Sequence, residues 1–158
     1  MRTYANVPRL IWSGLIAIYL LIPSAAEAAD SYKTVDGITA YLGVLPADAV
    51  LAHAPEHTDR HMHGGVPRGK AQRHITIALF DSTSGQRIND ARVSTRVQEV
   101  GLGMTSKELQ PMLIDSTVTY GNYFQMSGSG PYRIEVDVRR HGGREKPITV
   151  RFDYSQRR

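Results

Sequence analysis

The 158-residue chain contains no cysteine. Disulfides, thiolate metal sites, iron–sulfur clusters and cysteine nucleophiles are therefore excluded. Lysine is scarce, with 4 against 15 arginines. No G-x-S-x-G elbow, H-E-x-x-H pair or phosphate-binding P-loop occurs, and no pair of carboxylates invites a glycosidase reading. No long amphipathic helical period is present. The longest apolar run, residues 10–22, falls short of the roughly 20 residues that span a bilayer. What remains is a chain with 41% hydrophobic and 22% charged residues, which is globular rather than disordered in composition. Its length is that of one domain.

The apolar run has the layout of a secretory signal. Arg2 and Arg9 precede LIWSGLIAIYLLI, Pro23 and Ser24 break it, and Ala26-Glu27-Ala28 offers an A-x-A cleavage site. Cleavage after Ala28 leaves residues 29–158 as a single mature domain, periplasmic or secreted. An uncleaved anchor is the alternative, and membrane contact is expected only through this segment. The mature part carries 17 basic and 14 acidic residues. Nucleic acid is an unsuited partner outside the cytoplasm, and the basic residues do not cluster. Arg133 and Arg139 alternate with Glu135 and Asp137, as on a mixed solvated face.

The mature sequence alternates with period two. Strands are predicted over residues 38–44, 75–79, 92–97, 132–139 and 148–154, with shorter ones near 112–120 and 121–126. Polar turns separate them at 81–85 and at His141-Gly142-Gly143-Arg144. Residues 127–131, SGSGP, read as a flexible loop. About seven short strands with regular turns predict an all-β fold, an antiparallel sandwich of immunoglobulin type without the usual cysteine pair.

Residues 46–73 break the pattern, with three prolines, three glycines and no sustained alternation. A structureless connection of that length is uncommon in a compact domain and is usually functional or disordered. It holds four of the six histidines: His53, His57, His61 and His63. Met62 stands between the last two, and Gly64 and Gly65 follow. Imidazole nitrogen suits copper, zinc and nickel, and thioether sulfur favours Cu(I). In a cysteine-free secreted protein these are the remaining soft donors. His57 and His61 would share one face of a short helical turn. In an extended segment Met62 points away from His61 and His63, so the three converge only if the glycines bend the chain. His74 opens the next strand, and Met126, beside the SGSGP loop, is the remote thioether candidate. Met104 and Met112 read more readily as core filler. The bland alternative is a polar loop with no ligand. A hydrolytic zinc site using Glu56 and Asp59 is a further one, since three protein ligands and a water suffice.

Three stretches resemble small periplasmic YtkA-like sandwich domains: ITIALFDSTSGQRINDARV at 75–93, PYRIEVDVRR at 131–140 and ITVRFDY at 148–154. The resemblance covers about a quarter of the chain and implies a sandwich fold and a periplasmic setting. His61-Met62-His63 is similar to the motifs of secreted His/Met copper chaperones. Their second His-x-Met late in the chain is absent here, so no ligand set carries over.

The reading is a non-enzymatic periplasmic metal carrier, for copper, with candidate ligands His53, His61, Met62, His63, His74 and Met126. Its partners would be a metal ion and an envelope protein that receives it. The alternative is an envelope interaction or adhesion module without metal. Histidine protonation below about pH 6 is expected to weaken metal binding.

Overall fold

The computed structural model describes residues 31–52, 65–114, 116–142 and 146–156. The predicted signal segment 1–28 and the candidates His53, His61, Met62 and His63 lie outside the described residues, as does His57.

Among the described residues, eight strands and one short helix follow in the order β1 (Tyr32–Val35), β2 (Ile38–Pro46), α1 (Ala47–Ala52), β3 (Gln72–Asp81), β4 (Ala91–Glu99), β5 (Met104–Ile114), β6 (Thr117–Gln125), β7 (Tyr132–Arg140) and β8 (Ile148–Tyr154). Every pairing is antiparallel, in the order β1-β2-β3-β6-β5-β4-β7-β8. β1 and β8 lie beside each other, so the sheet nearly closes into a barrel. β5 joins the two halves. Its first part, up to Leu109, pairs with β4, and its last part, from Gln110, pairs with β6.

The alternation decides which side chains face inward. Ile75, Ile77 and Leu79 of β3, Ile134, Val136 and Val138 of β7, and Tyr120 and Phe124 of β6 belong to one buried cluster. Phe124 and Phe152 are 0% and 1% exposed. Burying each contributes roughly 1.5–3 kcal/mol. The β1–β2 hairpin turns on Asp36 and Gly37, both at positive φ (46° and 85°). That pair is the Asp-Gly signature of a tight turn matched to strand twist.

The all-β antiparallel architecture agrees with the expectation, with eight strands rather than about seven. The differences lie where periodicity is weak. β1 and the first half of β5 were not expected as strands. β5 ends at Ile114 and β6 begins at Thr117, with Ser116 between them at φ 63°, so the break does not fall ahead of Gly121. The irregular stretch from 46 to 73 is also shorter than it reads. Pro46 ends β2, Ala47–Ala52 is helical, and β3 begins at Gln72. Alanine is the strongest helix former and three occupy this segment. Asp48 stands in the first turn, where a carboxylate suits the helix dipole. The 127–131 loop is tied down rather than loose. The Gly128 amide donates to the Tyr132 hydroxyl (2.8 Å), which donates to the Gly128 carbonyl (2.9 Å). The Gln156 amide donates to the carbonyls of Met126 and Gly128, both at 2.9 Å.

The outer face of β4, β7 and β8 is the mixed charged face expected from the sequence. Arg96 pairs with Glu135 (2.9 Å) and Asp137 (2.8 Å), and Arg151 reaches Glu135 from the other side (2.9 Å). Arg151 first, then Arg96, holds the Glu135 carboxyl below its ordinary range. A lowered folded-state value stabilises the fold above the unfolded carboxylate value and loses that stabilisation as pH falls. Glu135→Gln should therefore destabilise by on the order of 1 kcal/mol at neutral pH, the scale of a part-exposed network. The gap in melting temperature from wild type should close as pH falls from about 5 towards 3. A gap that stays constant across that range would assign the effect to packing.

Candidate metal centre

His74 is the second residue after the start of β3's ladder with β6, opposite Leu45 of β2 and Tyr123 of β6. Its neighbour Ile75 points into the core, so the pleat turns His74 to the outer face. It is nonetheless only 3% exposed. Its ring stacks on Tyr123, with centroids 4.6 Å apart and planes 25° from parallel. Tyr123 is likewise 3% exposed.

On the same face, one strand further on, lies Met112. It stands opposite Thr119 on β6, and Gly121 stands opposite Thr76 on β3 and Gln110 on β5. Gly121 is thus the middle of a three-strand strip with His74 and Met112 as its diagonal neighbours. A β-carbon placed on Gly121 would lie 2.9 Å from His74 Nε2, 3.1 Å from Met112 Sδ and 2.7 Å from Met112 Cε. The imidazole nitrogen and the thioether sulfur therefore converge on the hollow above a residue that has no side chain. Met112 is 1% exposed yet stands outside the core cluster.

Both described ends of the 53–64 segment border this strip. β2 ends at Pro46, opposite Arg73, and α1 packs on β2 and β3. The described chain resumes at Gly65. Gly65, Val66 and Pro67 line a cavity of about 350 Å³ with Gln72, Lys107, Asn122 and Tyr123. This cavity sits where β5 and β6 diverge. Two side chains bridge the gap: Lys107 Nζ donates to the Tyr123 carbonyl (2.6 Å) and Asn122 Nδ2 to the Glu108 carbonyl (2.8 Å).

Of the described sequence candidates, His74 lies in this strip and Met126 does not. Met126 is 1% exposed inside the hydrophobic cluster, on the core side. Met112 takes the thioether position beside His74. The signal that marks it is parity within β5, where Leu109 faces the core and Met112, three positions on, faces out. His141 is exposed in the β7–β8 turn. Among the described residues, no three His, Asp or Glu side chains gather as a metal site.

The donor chemistry is clear. An imidazole and a thioether form a soft donor pair, which fits Cu(I) better than hard oxygen-seeking cations. The fold is an all-β near-barrel that presents a His/Met pair on its outer wall. No family model matches the chain, and no curated protein matches it in sequence. Solved structures do share the fold. A copper-bound single-residue variant of FetP from uropathogenic Escherichia coli strain F11 aligns with a TM-score of 0.57 at 16% identity, covering 81% of this chain and 95% of that one. Copper-reconstituted P19 from Campylobacter jejuni aligns at 0.58 and 14% identity, covering 81% and 94%. A DUF4426 family protein from Pseudomonas aeruginosa PAO1 aligns at 0.59 and 12% identity, covering 80% and 95%. At these identities the likeness establishes the fold.

Proposed function

We propose that this protein is a periplasmic copper carrier that holds Cu(I) between His74 and Met112 and passes it to an envelope partner. The convergence of Nε2 and Sδ above Gly121 carries the reading. Two solved proteins of the same fold were crystallised with copper, which supports it. The ion is cargo rather than a catalytic cofactor. Two donors leave Cu(I) open to further ligands, and His53, His61, Met62 and His63 are the sequence's nearest supply. α1, just before their segment, packs on β2 and β3, and Gly65, just after it, lines a cavity with Tyr123. Transfer is then ligand exchange: a partner's thioether or imidazole displaces one donor at a time. The imidazole must be neutral to donate, so acid favours release.

Anaerobic Cu(I) competition titration of the protein recovered from the periplasm tests this. Tight binding of one ion, lost when His61, Met62 and His63 are all changed to alanine or when His74 is, supports the carrier. Weak binding unaffected by either change sinks it.

A metal-free interaction module remains the second reading. In its favour, the β4–β5 hairpin exposes Val100, Leu102 and Met104 at 61%, 62% and 58%. Co-purification of metal-free protein with an envelope complex, lost when these three are replaced by serine, would favour it.

A further inference from the structure

We propose that Gly121 and Tyr123 are the positioning residues that give the copper site its geometry, Gly121 by placing no side chain beneath the two donors and Tyr123 by holding the His74 ring beside it. This rests on the copper reading above. Neither residue donates to the ion.

Glycine in a strand interior weakens the strand, and it often marks a place where a ligand or another chain segment approaches closely. Gly121 sits mid-strand in β6, and its φ is not among the positive values that require glycine. Backbone conformation therefore does not demand glycine here. Space does. Two of the three contacts that a β-carbon would make are under 3.0 Å, closer than real β-carbons approach, so something must shift. The Met112 methyl is the end of a flexible side chain and yields first, which swings the adjacent sulfur out of the hollow. The His74 ring has less freedom, because Tyr123 lies against its face.

Tyr123 supplies that constraint from the neighbouring strand, directly opposite His74. A histidine on a strand has several staggered side-chain conformers. The 4.6 Å stack fixes the plane of the ring whose Nε2 lies 2.9 Å from a β-carbon placed on Gly121. An aromatic ring is needed for this, and the phenol hydroxyl is not. Orienting neighbours of metal ligands typically change affinity by about 10–100-fold when removed.

The test is Cu(I) competition titration and copper X-ray absorption on Gly121→Ala, Tyr123→Leu and Tyr123→Phe, with melting temperatures of the metal-free forms. His74→Ala is run beside them. Gly121→Ala should, in the protein that remains folded, bind copper at least tenfold more weakly and lose the sulfur scattering shell, with the metal-free melting temperature reporting the cost of the displacement separately. Tyr123→Leu should show the same affinity loss with a disordered imidazole shell, and Tyr123→Phe should restore both. Full affinity with an intact sulfur shell in Gly121→Ala would overturn the inference while leaving the carrier reading standing, provided His74→Ala fails to bind. A Tyr123→Phe variant as impaired as Tyr123→Leu would overturn the role of the ring. If His74→Ala binds copper like wild type, the carrier reading itself falls. Should Tyr123→Leu not fold, Gly121→Ala alone decides.

Discussion

Met112→Leu should abolish high-affinity Cu(I) binding at little cost to the stability of the fold. Leucine and methionine have similar volumes, and such swaps cost under about 1.5 kcal/mol in packed surroundings. The thioether donor is lost, while a branched side chain of similar volume stays in its place. The side chain is 1% exposed, so the replacement keeps its burial on the wall of the sheet. His74→Ala should act as strongly on binding but less cleanly on stability, since it leaves the Tyr123 ring without the surface it stacks on. Removing orienting neighbours already costs metal sites roughly 10–100-fold, so loss of a donor should exceed about 100-fold. The measurement is a competition titration against a Cu(I) chelator of known affinity, with thermal unfolding of the metal-free variants. Equal copper affinity in wild type and Met112→Leu would remove Met112 from the site. A large fall in melting temperature for Met112→Leu would show that its role is packing.

β3, β7 and β8 are legible because one face of each is buried, and alternation records that directly. All three were found from it within a few residues. The candidate site was only half legible. His74 could be singled out by its chemistry and its place at a strand start. Met112 could not, because its meaning depends on register. A shift of one residue moves a side chain to the opposite face of a sheet. Reading Gly121 as the start of a new strand hid the strip it occupies. In the fold it is mid-strand, opposite Gln110, with Met112 and His74 diagonal to it. The glycine that resembled a boundary is the hollow of the candidate centre. Tyr123 packs against the imidazole rather than in the core.

Met126 supplies the contrasting case. Its position beside the SGSGP loop made it the thioether candidate. The β6 pattern places Tyr120 and Phe124 inward, and Met126 continues the same even parity into the core cluster. Its amide donates to the Ala71 carbonyl (2.7 Å) and its carbonyl accepts from Gln156, which fix the backbone there. Met126→Ala should therefore destabilise the protein by about 2–5 kcal/mol, the range for emptying a buried methionine site. Cu(I) affinity of the folded protein should not change. Met112→Leu and Met126→Ala then separate completely: one loses copper and keeps its melting temperature, the other loses melting temperature and keeps copper. Because the two methionines face opposite sides of the same β-sheet layer, a shared loss of copper affinity at equal folded fraction would mean that the core and the outer wall are coupled. The placement of the centre on the outer wall alone would then fail.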